Sequence, residues 1–409
     1  MDGNRPHFEV ADVVRAHGDQ YRRAHPTSAA QDRVLRNIAA CRTAARGGHT
    51  DECVDGCGYT RISYNSCRDR HCPKCQGPQR AQWLTDRLQR LLPVPYFHLV
   101  FTIPEQLNPL ALRNKDVVYK ILFEAASATL LELARDPNRL GADIGLTAVL
   151  HTWGQNLLLH PHLHCVVTGG GLSPDGSRWI AGRQRYLLPV KVMAKLFRGK
   201  FLALLEQAYQ DAKLELRGST AELADPVVWA TLRDRLYRTH WVVYAKPPFG
   251  GPEQVFAYLG RYTHRVAISN HRIVDFAQGK VTFTVKDYKH GGRNKTLTLD
   301  ALEFLRRFLL HVLPKGFVRI RHYGLCASRN VSTKLVTARQ LLQPGPSSEP
   351  ARPAVSTQPT PWWERFRAQT GVDVMACPRC GGRLARRPAF PPELQSPPAL
   401  PLRAPPVAA

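Results

Sequence analysis

A chain of 409 residues, 44% of them hydrophobic, carries enough apolar material for two or three domains with a real core. No run of about 18 uninterrupted apolar residues is present, which excludes a helical membrane span. Lys and Arg number 57 against 32 Asp and Glu, a formal charge of +25; such an excess repels itself unless a polyanion neutralises it, so nucleic acid is the expected partner and an anionic membrane surface the lesser one.

The N-terminus, MDGNRPHFEVADVVRAHGDQ, lacks the apolar stretch of a secretory signal. The expected location is therefore the cytosol, where closely spaced cysteines read as metal ligands rather than disulfides. Residues 1–40 read as two helices, VADVVRAHGDQYRRAH and, after the capping pair Thr27-Ser28, AAQDRVLRNIAAC. Residues 41–80 follow as a small zinc-binding domain. Cys53-x-x-x-Cys57-Gly and His71-Cys72-Pro73-Lys74-Cys75 each set two thiols on a tight turn. Together the pairs give a four-thiolate tetrahedral zinc site of Cys53, Cys57, Cys72 and Cys75. Cys41, His49, Cys67 and His71 are left over, either as a second zinc site or as core or DNA-facing residues. Arg68, Arg70 and Lys74 crowd the same stretch, and basic side chains on a metal-stapled knuckle suit phosphate contact.

Residues 90–330 alternate strands with amphipathic helices. YFHLVFTI (96–103) is a strand with His98 on the face of Tyr96 and Val100, and GLTAVLHTW is a second. The second leads through Gly154-Gln155-Asn156 into LLLHPHLHCVVTGGG. At period two, His160, His162, His164 and Val166 share one face of that strand, and Leu163, Cys165 and Val167 the other. Two imidazoles at i and i+2 on a rigid strand can grip one cation; the ordinary alternative is a pair of half-buried histidines bonded to backbone. Gly169-Gly170-Gly171 is expected to end the strand, and residues 190–238 form a helical insertion.

The stretch PEQVFAYLGRYTHR reads as a helix with Pro252 at its first position. Tyr258 and Tyr262 stand at i and i+4, so both phenols leave one face, with Arg261 and Arg265 beside them. Residues 281–299, VTFTVKDYKHGGRNKTLTL, form a hairpin turning at Gly291-Gly292, whose Lys286, Lys289, Arg293 and Lys295 suit a nucleic-acid backbone. Residues 343–361 are a Pro/Ser-rich linker. Residues 362–386 end in Cys377-Pro-Arg-Cys380, half a zinc site that is either a remnant or borrows two ligands from elsewhere in the chain. The tail 387–409 is Pro-rich and expected to be disordered.

A phenol is a poor nucleophile, yet it can attack phosphorus when the phosphodiester is polarised, and a divalent ion on His162 and His164 would polarise it. The products are a 5′-phosphotyrosine and a free 3′-hydroxyl, and because the bond energy stays in the ester, the step can reverse onto another strand. Two tyrosines allow two such bonds in succession.

In SCRDRHCPKCQ, YFHLVFTIP, HPHLHCVVTGGGL, YLGRYTHRVAISN and LPKGFVRIRHYG the chain resembles the two-tyrosine rolling-circle transposases of bacterial insertion sequences, the insertion sequence ninety-one family. The resemblance runs from about Cys41 to about Leu325. It implies an α+β fold of the His-hydrophobic-His (HUH) endonuclease type, an antiparallel sheet with flanking helices behind a zinc-binding domain. It also implies Mg²⁺ or Mn²⁺ as catalytic cofactor, Zn²⁺ as structural cofactor, and single-stranded DNA at the element's ends and target as partner. Carried onto this sequence, His162 and His164 hold the catalytic ion and Tyr258 and Tyr262 attack. Relatives use a third metal ligand; His98 is the choice, since its strand should lie beside the histidine strand, with His160 and Gln155 as rivals. A plasmid replication initiator or relaxase, a non-catalytic zinc-dependent DNA-binding regulator and a hydrolytic metal nuclease are the alternative readings.

Overall fold

The computed structural model describes residues 6–75, 83, 86–183, 186–246, 266–287, 291–343 and 361–392. In chain order its helices are α1 (Val10–Ala24), α2 (Ala29–Ala39), α3 (Asn108–Arg113), α4 (Lys115–Arg135), α5 (Val190–Gln210), α6 (Pro226–Arg238), α7 (Ala301–Leu310), α8 (Lys334–Leu342) and α9 (Trp362–Thr370). Its strands are β1 (Gly48–Cys53), β2 (Thr60–Tyr64), β3 (Tyr96–Thr102), β4 (Asp143–Trp153), β5 (Leu159–Leu172), β6 (Trp179–Ala181), β7 (Val243–Lys246), β8 (Ile273–Ala277), β9 (Lys280–Asp287), β10 (Arg293–Asp300), β11 (Ile320–Gly324) and β12 (Leu384–Arg386). The α+β class holds, with the strands in three antiparallel sheets.

The largest sheet runs β11-β4-β5-β3-β7, with β6 added to β5. Alternation along its strands decides what each face does. Phe97, Leu99 and Phe101 of β3, Leu146, Ala148 and Leu150 of β4, and Leu163, Cys165 and Val167 of β5 point into the main core. That core is closed by α4 and by the 190–238 stretch, which supplies Phe197, Phe201, Leu205, Trp229 and Leu236. An insertion in sequence is thus the outer wall of the core in space. Each fully buried side chain of that size stabilises by roughly 1.5–3 kcal/mol. The strand β5 does not stop at its glycines. It continues through Leu172, because a Cβ at Gly171 would sit 2.3 Å from the Asp143 carbonyl oxygen and only glycine lets β4 approach so closely.

The opposite face of this sheet carries the histidines, between two apolar covers. At one end Tyr96, Val166 and Leu172 pack with Leu325, Leu335 and Ala338 under α8. At the other, Leu157 joins a second core built from α1, α2, α7 and the β10-β9-β8 sheet. The helix α2 starts where expected, with Ser28 and Gln31 forming a reciprocal capping box. The basic hairpin also appears, β9 and β10 pairing without interruption from Asp287↔Arg293 to Lys280↔Asp300.

The third sheet, β12-β1-β2, departs from expectation. Its edge strand β12 comes from the far end of the chain and pairs with β1 from Asp51↔Arg386 to Cys53↔Leu384. Part of the supposed disordered tail is ordered here, since Arg387 N–H donates to Thr50 O and Phe390 N–H to Gly48 O.

Candidate metal centres and nucleic-acid surface

The strands β4 and β5 form a hairpin around Gly154–Leu158, where Gly154 N–H donates to Leu158 O. Its register sets His151 opposite His162. Directly opposed side chains on one face lie about 4.5–5.5 Å apart at Cβ, and His151, His162 and His164 accordingly bring one ring nitrogen each to within 4.8 Å of one another. His162 Nε2 and His164 Nε2 are 3.1 Å apart. Two donors in adjacent positions of an octahedral ion with bonds of about 2.1 Å stand roughly 3.0 Å apart, so these rings already hold nearly the separation a shared cation demands.

His98 takes a different place from the one expected. Its strand does lie beside β5, but its register partner there is Val166, one pleat beyond His164. Its Nε2 meets His164 Nδ1 at 2.8 Å, on the side of the ring away from His162. The structure therefore groups His151, not His98, with the His162–His164 pair, and leaves His98 hydrogen-bonded to the far side of the His164 ring. Of the rivals, His160 offers its backbone carbonyl to His162 Nδ1 at 2.7 Å, and the Gln155 carbonyl accepts from Arg272.

These contacts fix tautomers. A carbonyl only accepts, so His162 Nδ1 carries the proton and its Nε2 lone pair faces the cluster. For His164 to offer Nε2 to a cation, its Nδ1–H must donate to His98 Nε2. Burial holds His162 down to about 4 against the opposing pull of the hydrogen bond to the His160 carbonyl, with smaller charge repulsion from the His160 and His98 rings, and His164 falls well below the ordinary imidazole range for the same first cause. Burial, then Lys246, lowers His98 to about 4. The rings are neutral near pH 7, the state that can ligate.

The cysteines are regrouped as well. The expected set of Cys53, Cys57, Cys72 and Cys75 does not form. Cys72 and Cys75 gather with Cys41 and Cys67, two residues left over in the sequence. Cys41 Sγ lies 3.2 Å and Cys67 Sγ 3.5 Å from Cys75 Sγ. Hydrogen bonding, first from Cys67, lowers Cys41 to about 7, which favours thiolate. Cys53 and Cys57 gather instead with Cys377 and Cys380. The reason is topological: Cys53 ends β1, whose free edge β12 fills. The extra residue in Cys53-x-x-x-Cys57 is absorbed at Gly56, whose φ is +72°. Neither leftover histidine joins a cysteine group: buried His71 bridges Asp69 Oδ1 and the Leu313 N–H, and His49 faces Asp51.

Of the basic residues expected to face nucleic acid, Arg68 is exposed. Arg70 instead donates to the carbonyls of Phe317 and Pro314, and Lys74 pairs with Glu9. Both are structural ties because a half-buried cation seeks acceptors within the fold. Lys286 and Arg293 are exposed on the hairpin, and Lys295 pairs with Asp287 at 2.9 Å. Tyr258, Tyr262, Arg261, Arg265 and Lys289 lie outside the described residues. The described residues stop at Lys246, the register partner of His98 in β7, and resume at Val266 in the second core.

Two family models match this chain. One, described as "Putative transposase" (Y2_Tnp), covers residues 145–334, the span of β4, β5 and the tyrosine stretch. The other, described as "Transposase zinc-binding domain" (Zn_Tnp_IS91), covers residues 13–103. The chain is 52% identical over 373 residues to "Putative transposase y4qJ" of Sinorhizobium fredii, across 91% of this chain and 92% of that relative. It is 29% identical over 363 residues to "Transposase for insertion sequence element IS801" of Pseudomonas savastanoi pv. phaseolicola, across 86% and 82% of the two. No solved structure matches. Among the described residues no helix is long and apolar enough to cross a membrane.

Proposed function

This chain belongs to the transposases that join a Y2 transposase domain to an IS91-type zinc-binding domain, and on that premise we propose that it cuts and rejoins single-stranded DNA at the ends of its element through 5′-phosphotyrosine links. The observation that carries the reading is the convergence of His151, His162 and His164 on one sheet face, in a sheet whose strand β7 ends at Lys246, twelve residues before Tyr258 in the sequence. A regulator without catalysis has no use for such a cluster.

A divalent ion held by the three imidazoles would draw charge from the non-bridging oxygens of the scissile phosphate. His98 keeps the His164 ring turned so that Nε2 faces the cluster. One of Tyr258 and Tyr262 attacks phosphorus through its phenolic oxygen; the bond to the 3′ oxygen breaks, and that oxygen leaves as a hydroxyl. The second tyrosine takes a second junction while the first end stays bound, and a free 3′-hydroxyl reverses either link to join strands. Exposed Lys286 and Arg293 hold the sugar–phosphate backbone without reading its sequence.

Three nitrogen donors with no carboxylate favour Mn²⁺ over the harder Mg²⁺. The Cys41, Cys67, Cys72 and Cys75 cluster holds structural zinc in the N-terminal domain.

Incubation with end-labelled single-stranded DNA and Mn²⁺ tests the reading. A denaturant-resistant protein–DNA adduct is expected, lost in the Tyr258→Phe/Tyr262→Phe double variant and reduced at least about tenfold by His162→Ala. Cleavage without an adduct would replace the proposal with hydrolysis, and binding without cleavage would replace it with regulation.

A further inference from the structure

We propose that Cys53, Cys57, Cys377 and Cys380 hold a second structural zinc ion, which makes residues 374–390 part of the N-terminal zinc-binding module and clasps the two ends of the chain together. The inference is independent of the histidine cluster and of the chemistry assigned to it.

The sulfur geometry comes first. Cys53 Sγ and Cys380 Sγ are 3.5 Å apart, Cys57 Sγ and Cys377 Sγ 3.6 Å, and all four lie within 4.8 Å of one another. A tetrahedron with Zn–S bonds of about 2.3 Å has sulfur–sulfur edges of roughly 3.8 Å. A disulfide requires about 2.05 Å, and four thiols at these spacings have a common centre rather than two pairings.

Both knuckles are shaped for the purpose. Gly381 N–H donates to Cys377 O at 2.9 Å, and Cys377 N–H to Gly382 O at 2.6 Å. Gly381 stands at φ +77°, which turns the chain back after the second thiol. The two turns touch: Arg379 Nη1 donates to Cys57 O at 2.7 Å, and a Cβ at Gly382 would lie 2.7 Å from Asp55 Cγ.

What surrounds the sulfurs is too slight to hold the segment. The strand β12 has three residues on the edge of a three-stranded sheet. Cys377 and Leu384 are buried there, yet neither belongs to any of the three apolar clusters. Buried Asp51 binds Arg61 at 2.8 Å and Arg386 at 3.1 Å, but the cost of taking its charge out of water offsets much of that attraction. The contact joins residues 320 apart in the sequence, and an isolated three-residue edge strand is too short to hold such a junction by itself. An ion on four thiolates can.

Zinc content of purified full-length protein decides the matter. Cys377→Ser/Cys380→Ser is expected to lose one zinc per chain relative to the unaltered protein, Cys53→Ser/Cys57→Ser to lose the same one, and Cys380→His to keep it. A protease site placed within residues 344–360 supplies a second reading. After cutting, the C-terminal fragment should co-elute with the rest of the chain, and should separate in the Cys377→Ser/Cys380→Ser variant. Unchanged zinc content in both serine variants, or a fragment that leaves the unaltered protein on cutting, would overturn the proposal.

Discussion

In the six-stranded sheet, the histidines proposed to carry the chemistry stand on a surface that apolar packing has already fixed. In the three-stranded sheet, the cysteines stand on turns that almost nothing apolar supports. His151, His162 and His164 alternate with Leu150, Leu163 and Cys165, which are buried in the main core. Their nitrogens are brought together by the register of a hairpin, before any cation arrives. Cys53, Cys57, Cys377 and Cys380 come from opposite ends of the chain and meet around a common point. The first arrangement is preorganised by folding; the second is folded by its ligand.

Chelation should break the two apart most visibly. A strong zinc chelator with reductant at neutral pH is expected to abolish amide protection in β1, β2 and β12, removing a binding free energy on the order of 10 kcal/mol, while β3, β4 and β5 stay protected. Hydrogen exchange read by mass spectrometry checks this, and uniform loss across both sheets would erase the distinction. Acid should act on the histidine sheet, through a group that needs no metal. Burial lowers His311 to about 3; its Nε2–H donates to Leu157 O and its Nδ1 accepts from Thr152, tying the β4–β5 hairpin to the end of α7. The unfolded chain binds this proton below about pH 6.5 and the folded chain does not, so stability falls as pH drops from about 6.5 to about 3, by on the order of 1 kcal/mol per pH unit. Denaturant melts of His311→Gln against pH should show a flatter slope.

Cation choice sharpens the comparison further. Mn²⁺ should support adduct formation at roughly tenfold lower concentration than Mg²⁺, since imidazole suits the softer ion; equal titration curves would speak for oxygen ligands instead. The smallest effect belongs to the surface. Lys286→Ala and Arg293→Ala should each lower the salt dependence of single-strand binding by about 0.7 in log–log slope, while Arg70→Ala, whose guanidinium is turned inward to Pro314 and Phe317, should leave that slope unchanged.

Much of this contrast was legible in the sequence. The alternation of His162 and His164 with Leu163 and Cys165 was enough to define a strand with one apolar and one polar face, and the hairpin over 281–299 followed from its glycine turn. His151 was missed, although the signal was present. A strand ending at Trp153, a five-residue turn and a strand beginning at Leu159 pair so that position numbers sum to nearly a constant, which sets His151 against His162. The sequence places β3 beside β5, as the structure has it, but neighbourhood alone does not give the register that sets His98 against Val166. The cysteine grouping could not be read from spacing at all. Short spacing finds each knuckle, whereas which knuckles meet depends on β12 returning across most of the chain, and no local pattern encodes that. The ties made by Arg70 and Lys74 were hidden likewise, because charge in a sequence does not reveal which acceptors lie beneath it.

The most direct test of the central claim is calorimetric titration of Mn²⁺ into full-length protein carrying His151→Ala or His98→Ala, with zinc retained in the cysteine clusters. Losing a ligand should cost His151→Ala most of its affinity, while losing an orienting partner should weaken His98→Ala by about 10–100-fold and leave a measurable site. Unchanged binding in His151→Ala, with binding abolished in His98→Ala, would contradict the account.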